Sequence, residues 1–241
     1  MLKKILNKIR KRETPFWDGV YRAGKRLRKI NMPVIWPLHK LLAAERRSRL
    51  ALWDKVTSFL YYEPLFKTYC KNCGFGLHLI GGMPQVNDML SLHIGNNVTM
   101  HGAATFVGSK VYSNPELIIG DNTHLGYQMG IAVGRKITIG SHVLIANRVS
   151  LAGYDLHPLD PVRRANNEPP DESGCGDIEI KDYAWIGMNC LIMKGVTIGK
   201  ASIVAAGSVV TKDVPDFCIA AGNPAKVVKV LEEYRQKLDE T

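Results

Sequence analysis

The chain has 241 residues, enough for one good-sized domain and an appendage. Hydrophobic residues make up 46%, yet no unbroken apolar run approaches the ~20 residues of a membrane span, and neither the apolar stretch nor the cleavage site of a secretory signal follows the charged N-terminus. The net charge is +10, but residues 1–30 hold eleven Lys and Arg against Glu13 and Asp18, leaving the rest nearly neutral; a nucleic-acid-binding domain would spread its basic residues over a folded face, so no nucleic-acid partner is expected.

In chain order, Leu2, Ile5, Leu6 and Ile9 recur at helical spacing with lysines between them. That spacing predicts a short basic amphipathic helix, suited either to the surface of an anionic membrane or to a place as a solvated tail or against a neighbouring subunit. Residues Leu41–Leu60 read as helical, with Pro33, Pro37 and Pro64 as interruptions. Cys70 and Cys73 form a lone C-x-x-C without a second pair at zinc-finger spacing. Free thiols in a reducing cytoplasm are the expectation, and no metal site.

Beyond this point a different period takes over. From Ile180 to Pro215 an aliphatic residue opens every sixth position: Ile180, Ile186, Ile192, Ile198, Val204 and Val210. Four places after each comes a small or compact residue, from Ala184 and Cys190 to Ser208 and Val214. Helices require steps of three and four and strands steps of two. A strict six predicts a parallel β-helix in which each hexad is a short strand plus a corner, with three hexads to a turn. The same register runs upstream through Ile94, Met100, Ile119, Leu125, Ile139 and Ile145, with phase slips at Met100–Ile119 and Leu125–Ile139. If Leu151 opens a hexad, the next opener is due at position 157 but arrives at Ile180, 23 residues late. A long polar loop thrown out of a rigid prism is where chemistry is usually placed, and this one contains Asp155, His157, Asp160, Arg163 and Arg164. After Pro215 the repeat ends, Ala221–Lys226 makes a turn, and Val227–Leu238 reads as a closing helix.

The hexads, the protruding loop, the Trp185–Ile186–Gly187 step, the Gly207–Asp213 run and the Gly222–Asn223–Pro224–Ala225–Lys226 turn together resemble the hexapeptide-repeat acyltransferases, in particular sugar O-acetyltransferases of the galactoside and maltose type. The resemblance covers roughly residues 75–230. It implies a mainly β fold, a left-handed parallel β-helix against the usual right-handed crossover, with an N-terminal helical segment and a C-terminal helix. The implied layout is a basic, mostly helical segment 1–75, a β-helix 76–215 with catalytic loop 152–178, and a terminal turn and helix 216–241. It further implies a homotrimer with active sites between adjacent prisms, acetyl-CoA as acyl donor, and a saccharide acceptor. His157 matches the family's catalytic base. Trp185 falls where the pantetheine arm packs, Lys212 and Lys226 where the coenzyme's phosphates lie, and Ala206 and Thr211 where backbone and side-chain contacts reach the cofactor. Met188 stands where relatives often carry Ser; a hydroxyl role is lost there, though a backbone amide still offers an oxyanion donor. Gln128 sits near a position that touches acceptor.

The chemistry of the residues agrees with that assignment. A sugar hydroxyl must lose its proton as it attacks a thioester, and imidazole is the side chain that titrates near neutrality. Asp155 or Asp160 is suited to accept a hydrogen bond from the other ring nitrogen. Arg163 and Arg164 are candidates to hold acceptor hydroxyls or a phosphate. The remaining ring histidines, His78, His93, His101, His124 and His142, are read as structural. The resulting expectation is direct acetyl transfer to a cell-surface polysaccharide or lipid-linked precursor, in the cytoplasm or peripherally at the inner membrane face. N-acetylation of an amino sugar, free or nucleotide-linked, is the runner-up. Cys175 is the one candidate for a covalent acyl-enzyme, and the His-x-x-x-x-His of zinc-bearing prisms is missing from the sequence.

Overall fold

The computed structural model describes residues 2–29, 31–87 and 89–239. They form two compact units, one ending at Leu50 and one beginning at Ala51. The first contains α1 (Leu2–Lys11), α2 (Pro15–Leu27) and the start of α3 (Trp36–Thr57). Thr14 caps α2 by accepting the Trp17 N–H at 3.4 Å, and Pro15 supplies a preset φ at the first helical position. The Arg12 guanidinium lies over the Tyr21 ring at 4.2 Å, joining α1 to α2. Pro37 was expected to interrupt a helix. It instead sits in the first turn of α3, where its missing N–H has no partner to lose.

The second unit opens with the end of α3, a π-helical turn (Ser58–Tyr62) and α4 (Glu63–Lys67). These helices close the open end of a β-solenoid, whose terminal coil would otherwise expose its apolar interior. Phe66 is fully buried, the buried Ser58 hydroxyl donates to the Leu79 carbonyl at 2.8 Å, and the Gly81 N–H donates to Asp54 Oδ1 at 2.9 Å.

Six complete coils follow, each giving one strand to each of three parallel sheets, here A, B and C. They are β1 (Cys70–Cys73), β2 (His78–Ile80), β3 (Gln85–Val86); β4 (Ser91–Ile94), β5 (Thr99–His101), β6 (Thr105–Gly108); β7 (Glu116–Ile119), β8 (His124–Leu125), β9 (Gly130–Val133); β10 (Lys136–Ile139), β11 (Leu144–Ile145), β12 (Ser150–Ala152); β13 (Ile178–Ile180), β14 (Trp185–Ile186), β15 (Leu191–Met193); and β16 (Thr197–Ile198), β17 (Ile203–Val204), β18 (Val209–Val210). The excursion between β12 and β13 carries α5 (Pro161–Ala165). The first strand begins at Cys70, so the C-x-x-C pair forms the opening rung of sheet A. Burial pushes the Cys70 thiol up to about 12.

The hexad reading places every side chain as the coils require. All twelve openers and all twelve fifth-place residues are buried, none more than 3% exposed. Stacked rungs align them in columns, such as Leu125, Ile145, Ile186 and Val204 in sheet B. Hydroxyl residues at fifth places stand in for backbone partners inside a tight corner. Thr123 donates to the Gly140 carbonyl at 2.8 Å and accepts from the Val143 N–H at 3.2 Å. Ser208 donates to Ala205 and accepts from the Gly222 N–H at 3.1 Å. Each buried oxygen is thereby satisfied.

Phe106, Ile131 and Leu151 complete the register as the sheet C members of their coils. With them in place, the interruptions of the six-residue count between the second and sixth coils all fall at the corner between sheets C and A: Phe106 to Ile119, Ile131 to Ile139, and Leu151 to Ile180. The first coil carries one extra residue between Leu79 and Val86, at the B–C corner. The corner between A and B never varies in length through the middle coils, because side chains tie it rung to rung. Asp121 Oδ1 accepts the Asn96 N–H at 2.7 Å, Ser141 Oγ accepts that of Asp121 at 3.1 Å, and Asp182 Oδ1 accepts that of Ser141 at 2.7 Å. A Cβ on Gly140 would lie 2.3 Å from Asp182 Oδ1, so only glycine fits below that rung.

Past the sixth coil, β19 (Cys218–Gly222) extends sheet B and pairs antiparallel with β20 (Ala225–Val230). The helix expected from Val227 begins later, as α6 (Glu232–Asp239); β-branched Val227, Val228 and Val230 favour the strand that precedes it. The interior columns should dominate stability. Ile145→Ala is expected to lower the unfolding free energy by about 2–5 kcal/mol in a denaturant titration, whereas Leu144→Ala, one residue earlier on the solvent face, should cost under about 1 kcal/mol.

Candidate active site

The long excursion leaves the prism after β12 and is zipped shut at its base. The Gly153 N–H donates to the Ala132 carbonyl at 2.7 Å, that of Asp155 to Gly174 at 2.9 Å, and that of Gly176 to Gly153 at 2.9 Å. Tyr154 and Cys175 face each other across an antiparallel bridge. Farther out, Asp160 caps α5, its Oδ1 accepting from the Val162 and Arg163 amides at 2.7 and 3.0 Å. Those two hydrogen bonds hold the Asp160 carboxyl below its ordinary range.

His157 lies near the start of this loop and lines a cavity of about 120 Å³ together with Asp155, Pro170, Asp171, Gly174 and Lys194. Among the described residues, neither expected carboxylate is hydrogen-bonded to the imidazole. Asp160 is occupied as a helix cap, and Asp155 Oδ2 accepts from Lys194 Nζ. The two loop arginines, expected to face an acceptor, are engaged within the loop. Arg163 is bound by Glu168 at 2.9 Å and Asp171 at 2.8 Å, and these carboxylates hold its guanidinium above its ordinary pKa. Arg164 Nη1 donates to the Pro158 and Leu159 carbonyls at 3.1 and 3.0 Å, fastening the backbone that directly follows His157.

Lys194 is the residue that sequence reasoning missed. It stands on the C–A corner of the fifth coil and its ammonium donates to Asp155 and, at 3.1 Å, to the Gly174 carbonyl. One cation therefore joins both limbs of the loop to the solenoid. Nothing in the hexad pattern singles it out, since Lys200 and Lys212 occupy the equivalent place in later hexads; only the return of the loop brings Asp155, 39 residues earlier, to it. Cys175 sits in the same neighbourhood. Burial pushes its thiol up, with the Lys194 charge acting in the opposite direction.

The residues expected to hold the coenzyme are exposed, all but Lys226 on coils five and six. Trp185 projects outward from sheet B between Leu144 and Ile203. Met188 and Ala206 follow on the corner between B and C, where Gly187 packs so closely under Ala206 that a Cβ would lie 2.6 Å from its amide nitrogen. Gln128 occupies the same corner on the third coil and accepts from Arg148 Nε at 3.2 Å. Thr211 and Lys212 lie at the C–A corner of the sixth coil, below Lys194 and the loop base, while Lys226 is in β20 opposite Ala221. Within one prism, sheet C thus separates Trp185, Met188, Ala206 and Gln128 from His157. The other histidines pack against rings or solvent: His101 meets His124 edge-on at 6.2 Å, and His142 stacks on Tyr183 at 4.7 Å. Burial, and then the neighbouring His101, lower the His124 pKa.

Such a prism, with one long loop at one corner, is similar to that of hexapeptide-repeat transferases. Residues 177–212 match the family model described as bacterial transferase hexapeptide (six repeats). The chain is 35% identical over 135 residues to galactoside O-acetyltransferase of Escherichia coli K12, covering 53% of this chain and 64% of that one. It is 38% identical over 123 residues to polysialic acid O-acetyltransferase of Escherichia coli O1:K1, covering 51% and 37%. It spans less than two thirds of the length of the curated relatives it matches. An N-acyltransferase from Bacillus cereus, solved with a dTDP-amino sugar and coenzyme A, shares the fold at a TM-score of 0.59 and 20% identity, covering 74% of this chain and 92% of that one.

Lys194→Met should release the loop without harming the prism. Loss of a partly exposed charged contact of on the order of 1 kcal/mol raises the opened population about fivefold. Limited proteolysis should show cleavage within 156–173 accelerated to that degree and the thermal transition little changed, with Lys194→Arg close to wild type.

Proposed function

We propose that this protein is an acetyl-CoA-dependent O-acetyltransferase acting on a saccharide hydroxyl, with His157 as general base. The observation that carries the reading is the placement of His157 on a loop clamped to one corner of a hexapeptide prism whose relatives include two sugar O-acetyltransferases. In the reaction, the imidazole takes the proton of the acceptor hydroxyl as its oxygen attacks the thioester carbonyl. The tetrahedral intermediate collapses, the C–S bond breaks, and the imidazolium returns the proton to the departing thiolate. The Met188 amide, which has no protein partner among the described residues, serves as a donor to the developing oxyanion. The carboxylate assigned to orient the ring is Asp155, which shares the cavity and must exchange its Lys194 contact for the imidazole, in preference to Asp160, whose charge is held at the α5 cap. A thiol pushed upward by burial makes Cys175 a poor nucleophile, in keeping with direct transfer.

Coenzyme A is the donor, its pantetheine arm along Trp185, Ala206 and Thr211 and its phosphates at Lys212 and Lys226. A cavity of about 120 Å³ beside His157 is far below the roughly 300–1,000 Å³ of a ligand site. Because sheet C lies between His157 and the B–C corner of Met188 and Gln128, a complete site forms when a neighbouring prism brings its own Trp185, Met188 and Gln128 to the loop, as in a homotrimer. Arg163 and Arg164 then serve the acceptor by holding the loop that meets it. The left-handed turn of the prism, the division into segments 1–75, 76–215 and 216–241, and a cytoplasmic location at the inner membrane face belong to the same reading, with a surface-polysaccharide or lipid-linked precursor as acceptor. An amine acceptor would use the same base, and the Bacillus cereus N-acyltransferase shares the fold; the two sugar O-acetyltransferases, at higher identity, favour oxygen.

The test is thiol release from acetyl-CoA with a panel of hydroxyl- and amino-sugar acceptors. Transfer should be seen with a hydroxyl acceptor, and His157→Ala should lower kcat by about 10²–10⁴-fold with KM for acetyl-CoA little changed. Equal turnover by His157→Ala, or turnover with amino sugars alone, would reject the corresponding part of the reading.

A further inference from the structure

The unit that ends at Leu50 is built unlike the solenoid. It holds fifteen Lys and Arg against Glu13, Asp18 and Glu45, so it carries more positive charge than the whole chain, and the remainder is slightly acidic. Among its described side chains none is buried. The apolar ones are concentrated around the start of α3, where Met32, Val34, Ile35, Trp36, Leu41 and Leu42 stand exposed, with Met32 77% and Trp36 68% accessible. Basic residues flank this ridge on both sides along the chain, Arg22, Lys25, Arg26, Arg28 and Lys29 before it and Arg46 and Arg47 after it, and Lys40 lies within it.

We infer that the Met32–Leu42 ridge, rather than α1 alone, is an anchor that lies on an anionic phospholipid surface. Exposed apolar side chains on this scale mark a surface that is covered in use, and three arguments identify the cover. Charge complementarity selects an anionic partner, since each flanking Lys or Arg is attracted to acidic headgroups. The same unit of a second copy would bring an equal excess of positive charge, and the like charges oppose that pairing. The apolar ridge with Trp36 at its centre is matched by the boundary between headgroups and acyl chains, where tryptophan is enriched and long basic side chains reach outward to phosphate. No helix among the described residues is long and apolar enough to cross a membrane, so the ridge lies on the surface. α1 is the lesser element because its Ile9 is only partly exposed and lines a cavity shared with Val20 and Tyr21 of α2. This deepens the membrane-face location in the proposed function and is independent of acetyl transfer.

The experiment is co-sedimentation of the full chain with vesicles of phosphatidylcholine alone or mixed with phosphatidylglycerol, with thiol release measured in parallel. Binding should be at least several-fold stronger on the mixed vesicles and weaken at high salt. The combined variant Trp36→Ser, Leu38→Ser, Leu41→Ser and Leu42→Ser should lose most of it. Ile5→Ser with Leu6→Ser should lose less. As a readout that needs no disruptive variant, brominated phospholipid should quench the tryptophan emission of the wild-type chain, and Trp36→Phe should remove most of that quenching. Equal binding to neutral and acidic vesicles, no binding, or quenching that survives Trp36→Phe would overturn the inference. So would a ridge variant that alters the oligomeric mass in sedimentation but leaves vesicle binding intact, which would mark a contact between copies. Loss of acetyl transfer by His157→Ala with vesicle binding retained would separate this conclusion from the catalytic one.

Discussion

The interior of the prism is the constraint from which the rest follows. Three apolar side chains from each of the inner coils fill the interior, and hydrogen bonds to the coils above and below fix the length of the rungs. An extra residue cannot be absorbed inside, so it has to be expelled at a corner. The A–B corner is locked by the Asn96–Asp121–Ser141–Asp182 ladder, and the B–C corner by close backbone stacking such as Gly187 under Ala206. Insertions accumulate at the C–A corner, on successive coils one above another.

That stacking makes a working surface out of what would be isolated loops. The excursion carrying His157 rests on the Gly134–Arg135 turn, with Arg135 bound to Asp177, and that turn in turn receives the Ser109 hydroxyl at 2.8 Å. Lys194 then fastens the loop from the other side. A flexible polar segment of this length would ordinarily sample many conformations. Here its two limbs are zipped together and its catalytic candidate is held by Arg164 contacts to the residues immediately following it. The arginines serve the loop's rigidity, a role in keeping with the need for a general base to be placed within hydrogen-bond reach of its substrate.

Much of this was legible in the residues. The period of six reports interior and exterior directly, because a side chain that opens each rung has one place to go. Phe106 and Ile131 could have been assigned by extending that count, as Leu151 was. The helical signals were harder to place: Pro37 marks a helix start and a break with equal force, and Val227 to Val230 carry strand propensity inside a pattern also compatible with a helix. At the site, the polar loop marked out His157, whereas the partners of Asp155, Asp160, Arg163 and Arg164 are set by contacts across the loop that no spacing encodes.

The sequence by itself determined the prism, the lateness of one hexad and hence the loop that bears His157, because a repeat in register specifies its own packing. Only the tertiary structure decided which corner receives the insertions, that Lys194 binds Asp155 and Gly174, and that sheet C stands between His157 and Trp185. Those are relations between residues distant in the chain. They depend on how coils stack and where the loop returns, and a one-dimensional pattern contains neither.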